Sequence, residues 1–258
     1  MARKPRIEFP GAFYHVITRG NQQQNIFRED NDFLRYIDIL FRYKKRFDFK
    51  LYAYVLMSNH VHLLIETQNF PLSKICQGIN QSYTAWFNKK YRLSGHLFQG
   101  RYKAILCDQD SYLLSLLKYI HLNPVRAGMV ENVDEYRWSA HRVYMQGEQE
   151  KPLIDANNLL GIFSRNKANA IKLYQAFMHE KETLEKKDVY RTIDQQILGG
   201  EDFLDEVMKR SNGGIARHRK MKEYDLKEIA GALKDVYDVS LKMLRGKGKS
   251  QMESKSKK

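Results

Sequence analysis

His60 and His62, one residue apart in "MSNHVHLLIE" (57–66), are the side chains of this sequence whose types and spacing most readily suggest chemistry. On a strand, residues i and i+2 share a face, so the two imidazoles stand side by side and both nitrogens can reach one cation. The pattern is cheap, and the same pair also suits an ordinary sheet face. A second group lies downstream. Tyr119 and Asn123 are four apart, one turn on a helix face, provided the helix runs to Asn123 despite Pro124. A phenol is a nucleophile once activated, and a carboxamide oxygen is a neutral ligand. The plain alternatives are a core tyrosine and an asparagine that stops a helix. Tyr112, seven residues before Tyr119, is the rival nucleophile, with Leu116 where Tyr119 has Asn123. His15 and His121 stand alone and suit packing or surface positions. Glu66, on the histidine face, either reaches the ion or closes the strand.

The elements that must position these groups follow from periodicity. "AFYHVITRG" (12–20) is aromatic, β-branched and closed by glycine, a strand signature. From Asp30, an N-cap candidate, Phe33, Ile37, Leu40 and Phe47 recur at helical spacing. "FKLYAYVLMSNHVHLLIET" (49–67) holds two apolar runs broken at Ser58-Asn59, a hairpin pattern. Pro71 opens a second helix, with Leu72, Ile75, Ile79, Tyr83 and Trp86 at steps of three or four, and "HLFQGRYKAILC" (96–107) reads as a fourth strand. The order βαββαβ predicts an α+β fold, a ferredoxin-like antiparallel sheet with two helices on one face. Alternation turns Val61, Leu63 and Ile65 toward those helices and His60, His62, Leu64 and Glu66 away. A third helix from Asp110, with Leu113, Leu116, Leu117 and Ile120 as its apolar stripe, can cover the open face and bring Tyr119 and Asn123 to the histidines.

Charge narrows the partners. The 258 residues carry 44 Lys+Arg against 30 Asp+Glu, a net charge of +14, with 16 Tyr and 13 Phe among them. That mixture suits a polyanion whose bases stack on rings, single-stranded nucleic acid above all, although a basic solvated surface over a tyrosine-rich core has the same composition. Residues 1–146 hold 21 basic and 12 acidic side chains, and residues 241–258 hold 7 and 1, so two separate basic regions need explaining. No run is apolar enough to span a bilayer, and "MARKPRIEFPG" has no signal-peptide core, so the expectation is a cytoplasmic protein with no membrane partner. Cys76 and Cys107 read as reduced thiols.

"YVLMSNHVHLLIE" followed by "YLLSLLKYIHLNPVRAGMV" resembles the single-tyrosine HUH transposases. The "YIHLNPVRAGMV" block, "YRWSA" (136–140), "FYHVITRGN" and "LFQGRYKA" are closest to the REP-associated tyrosine transposases among them, over about residues 9–145. The resemblance implies that His60 and His62 are metal ligands, that Asn123 completes the site, that the ion is Mg²⁺ or Mn²⁺, and that Tyr119 is the catalytic nucleophile. It also implies a metal-dependent single-stranded DNA endonuclease and strand transferase that forms a 5′-phosphotyrosine intermediate on hairpin-forming repeat DNA. Two other functions fit the same residues: a hydrolytic nuclease whose metal activates water, and a DNA-binding regulator without turnover. Phosphate contacts are expected from Arg19, Arg101, Lys103, Lys118 and Arg126, with Tyr102 or Trp138 stacking on an unpaired base. A monomer and a homodimer are both compatible with the sequence.

The domain division expected is 1–146 for this unit, 147–225 as a helical linker region with an amphipathic helix around 167–187, and 226–258 as a partial helix-turn-helix-like segment. "DLKEIAGALKDVYDVSLKMLRGKGKSQ" resembles the opening of a replication-initiator-like helix-turn-helix, and "MESKSKK" stands where a recognition helix is expected, so the tail is either an incomplete domain or a basic arm.

Overall fold

The computed structural model describes residues 6–146, 153–180, 192–193 and 196–210. The segment 226–258 and the end of the expected 167–187 helix lie outside the described residues. Those residues all fall within one compact unit, Met1–Gly213.

β1 (Phe13–Arg19) is the pivot of the sheet: it pairs antiparallel with β3 (His60–Glu66) on one side and with β4 (Lys103–Cys107) on the other. β2 (Lys50–Met57) closes a hairpin on β3 through Ser58 and Asn59, whose carbonyls accept from Ile26 and Gly20. The order is β2-β3-β1-β4, the ferredoxin-like arrangement, extended by a two-residue β5 (Ile197–Leu198) parallel to β4. α1 (Asp30–Phe47) starts at a capping box in which the Glu29 and Asp32 side chains take each other's backbone N–H groups, and α2 (Leu72–Tyr91) starts after Pro71 as its N-cap. Their inner faces, Tyr36, Ile39 and Leu40 with Ile75, Ile79 and Tyr83, are buried, as are Val61, Leu63 and Ile65 on the strand face turned to them.

α3 (Gln109–His121) lies across the other face, against β2 and β3. It stops before Asn123. Pro124 has no N–H to continue the ladder, so the chain turns at Leu122 (φ −81°, ψ −2°) and makes the single-turn α4, Asn123–Arg126. The expected strand over 96–107 is also shorter. Gly95 (φ +89°) and Gly100 (φ +67°) bend the chain, Phe98 makes one isolated bridge to Gly20, and only Lys103–Cys107 forms a strand, so Arg101 stands in the bend before it. α5 (His141–Gln146), α6 (Ala156–Phe163), α7 (Lys167–His179) and α8 (Glu201–Arg210) complete the described α-helices.

The outer edge of β2 is closed by side chains and a crossing segment. Tyr136 and Tyr144 hydroxyls donate to the carbonyls of Leu56 and Tyr52 (both 2.6 Å), Ala140 N–H donates to Tyr54, and Leu56 N–H donates to Trp138. Asp155 takes the Leu51 N–H on its carboxylate and returns its own to the Leu51 carbonyl. This closure leaves little of the strand as a template for another chain.

Candidate active site

The register fixes which side chains meet on the α3 side of the sheet. Arg19 lies directly opposite His60, Ile17 opposite His62 and opposite Lys103, and His15 opposite Leu64, diagonal to His62. His60 and His62 have ring centroids 5.0 Å apart. His15 Nε2 lies 2.8 Å from His62 Nδ1, the two rings stacking at 5.0 Å, and Asn59 Oδ1 lies 2.6 Å from His60 Nδ1.

These partners decide where the lone pairs go. Asn59 Nδ2 donates to the Gln23 carbonyl, so its Oδ1 is the acceptor and His60 Nδ1 carries the proton. Nε2 of His60 is therefore the unprotonated nitrogen of the ring. His62 has the matching opportunity: with Nδ1–H donating to His15, its Nε2 is free to bind a cation. An imidazole whose other nitrogen is tied to a fixed acceptor is the usual state of a metal-binding histidine. His62 is 3 % exposed and His15 is wholly buried. Burial, reinforced by His15, His60, Arg126 and Arg19, pushes His62 well below the ordinary histidine range, and burial with Lys103 nearby pushes His15 down to about 3. Both rings are neutral at physiological pH, as ligation requires.

Tyr119 is brought to this pair from α3. Its ring stands edge-on to His15 (6.0 Å) and His62 (6.4 Å) and is 2 % exposed. Arg126 lies over the ring with its guanidinium carbon 3.9 Å from the centroid and also donates to the Tyr119 carbonyl. Asn123 caps the end of the helix: its Nδ2 donates to the carbonyls of Tyr119 (2.9 Å) and Ile120 (3.3 Å), which commits the nitrogen and leaves Oδ1 as the only atom able to ligate. Among the described residues no group of three or more His, Cys, Asp or Glu side chains is arranged to hold a metal. A cation on the histidines must therefore be completed by donors of other kinds, which an amide oxygen and phosphate oxygens can supply.

The remaining candidates divide. Arg19, Lys103 and Arg126 are exposed around the histidine–tyrosine group, and Arg101 is exposed beyond the end of β4. Lys118 differs from its expected role. It is 3 % exposed, its ammonium donates to the Phe177 carbonyl and lies over the Phe177 ring at 4.6 Å, so it faces α7 and not a surface groove. The two aromatic candidates are already covered: Tyr102 by Arg6 at 3.7 Å, and Trp138 between Phe33 (4.4 Å, 8° between planes) and Arg137. Glu66 closes the strand, accepting from Tyr52 (2.5 Å), Lys50 (2.9 Å) and Gln68 (2.7 Å). His15 and Asn59, which orient the two imidazoles, escape a reading of sequence alone because their role depends on the β1–β3 register and the hairpin turn.

Comparison with known proteins gives one family match and solved structures of low identity. Residues 9–123 match the family model described as transposase IS200-like. A solved structure described as the REP-associated tyrosine transposase bound to a REP hairpin is 21 % identical, covering 61 % of this chain and 94 % of its own, with a TM-score of 0.45. A candidate transposase from Deinococcus radiodurans R1 is 16 % identical, covering 46 % of this chain and 94 % of its own, with a TM-score of 0.33. No curated protein matches the chain significantly.

Proposed function

We propose, from the premise that residues 9–123 are a domain of the IS200-like transposase family, that the protein cuts and rejoins single-stranded DNA through Tyr119. The observation that carries this reading is the convergence of Tyr119 with His60 and His62 on one face of the sheet. Hairpin-forming repeat DNA is the substrate class that the sequence resemblance implies.

The chain's own residues supply most of the chemistry. Tyr119 Oη forms a bond to phosphorus as the P–O3′ bond breaks. The phenol proton passes to water, and the departing 3′ oxygen takes one up, leaving a 5′-phosphotyrosine and a free 3′-OH. Attack by another 3′-OH reverses the step and rejoins strands, because the phosphodiester energy is kept in the tyrosyl ester. Arg126 places a permanent positive charge beside the ring that must carry negative charge, and it is exposed enough to shift onto the incoming phosphate. Arg19 and Lys103 flank the histidines and hold the strand by its backbone. His60 Nε2, His62 Nε2 and Asn123 Oδ1 would hold Mg²⁺ or Mn²⁺, a Lewis acid for the scissile phosphate. All three are neutral donors, so the phosphate supplies the negative charge of the site.

The test is covalent capture. With labelled single-stranded hairpin DNA and Mn²⁺, the protein should give a protein–DNA adduct on a denaturing gel, and Tyr119→Phe should abolish it. Cleavage without an adduct would assign the attack to water; neither product, across hairpin substrates, would make the protein a binding regulator.

A further inference from the structure

We propose that α7 is a brace for the tyrosine helix, with Tyr174 and Lys118 as positioning residues that set where Tyr119 stands; the inference rests on the reading of Tyr119 as the nucleophile. α7 lies outside the segment 9–123 that matches the family model.

Two independent ties join α7 to the last turn of α3, on either side of Tyr119. One is Lys118, a buried ammonium held by the Phe177 carbonyl and the Phe177 ring. The other is a series of side chains in which His121, Tyr174 and His141 are wholly buried and Asp134 is half-exposed at the end. His121 Nδ1 lies 3.0 Å from the Tyr174 hydroxyl, which lies 2.7 Å from His141 Nδ1, and His141 Nε2 lies 2.6 Å from the Asp134 carboxylate.

The protons in this chain can be placed. A carboxylate only accepts, so His141 Nε2 carries the proton toward Asp134 and His141 Nδ1 is a lone pair. The Tyr174 hydroxyl donates to that lone pair and accepts from His121 Nδ1–H. His121 Nε2 is then an acceptor, one of the buried side-chain atoms among the described residues that has no hydrogen-bond partner. Every donor is satisfied only if Tyr174 stays between the two imidazoles. With each tie directional and buried, α3 cannot rotate or slide at Tyr119 without breaking one of them. Misplacing a nucleophile by about 1 Å can slow its reaction by about 100-fold.

Tyr174→Phe keeps the ring and removes only the hydroxyl; Lys118→Met removes the other tie. With saturating hairpin DNA and Mn²⁺ in single turnover, each variant should form the adduct at least about tenfold more slowly while its DNA affinity stays within about twofold of the parent. Amide hydrogen exchange supplies a readout that needs no activity: residues 119–123 should exchange at least about tenfold faster in both variants, with β2 and β3 unchanged. If the parent forms no adduct, the proposed chemistry falls while the exchange pattern still decides the brace. Parent-like exchange at 119–123, a parent-like adduct rate, or loss of DNA affinity in step with rate overturns the proposal. Should Tyr174→Phe fail to fold, Lys118→Met carries the same comparison.

Discussion

At the scale of the residue, the candidate site depends on groups that chemistry alone would not select. His60 and His62 present themselves through a two-residue spacing, and Tyr119 through a helical one. What would fit the histidines for a cation is Asn59 on Nδ1 of one and His15 on Nδ1 of the other. Removing such a partner weakens metal binding by about 10- to 100-fold. Asn59→Ala should therefore raise the Mn²⁺ concentration for half-maximal DNA cleavage at least about tenfold, with the maximal rate largely kept at saturating metal; an unchanged metal titration would show that Asn59 has no such role. The spacing pattern made His60, His62 and Tyr119 legible in the sequence. His15 was visible only as a lone histidine, because nothing in one strand says which residue of the next will lie diagonal to it. Lys118, expected at phosphate, is instead buried against Phe177 for a related reason: which way a basic side chain on a helix points depends on α7, about fifty residues later.

At the scale of the element, the long periodic segments were legible and the short or interrupted ones were not. α1 begins one residue from the expectation, with Glu29 as its N-cap and Asp30 as its first helical residue, and the β2–β3 hairpin turns at the expected Ser58-Asn59. β4 is five residues rather than the expected twelve because two glycines at positive φ bend its approach, and β5 is too short to leave any periodic trace. The guarding of the β2 edge was not legible either, since tyrosines 80 and 92 residues away supply it. That edge makes a stability prediction. Tyr144→Phe leaves the Tyr52 carbonyl buried without its donor, a loss of about 1–3 kcal/mol. Urea denaturation should show the midpoint falling with little change in slope, and an unchanged midpoint would mean that water replaces the hydroxyl.

At the scale of the whole molecule, the fold holds several histidines neutral and shielded, and this gives the protein a definite pH dependence. His15 is held down to about 3, mainly by burial, and His62, His121 and His141 are also pushed below the ordinary range, burial again leading. The folded state thus refuses protons that the unfolded chain accepts below about pH 6.5, so stability is present above that value and is lost as pH falls. For His15 alone the loss is about 1.4 kcal/mol per pH unit between about 6.5 and 3. The melting temperature should drop between pH 7.5 and 5.5, and one that held or rose would contradict neutral burial. No helix among the described residues is long and apolar enough to cross a membrane. The candidate site and its support come from separate stretches of the chain: β1, β3 and α3 bring the candidate groups together, and α7 holds α3 from outside the segment that matches the family model. The central claim is that Tyr119 takes the phosphate, and trypsin separates it from its rival. Cleavage after Lys118 and Arg126 isolates Tyr119–Arg126, while Tyr112 falls in 104–118. Mass spectrometry of the digested protein–DNA adduct should find the nucleotide mass on the peptide 119–126; finding it on 104–118 or on any other peptide would contradict the account.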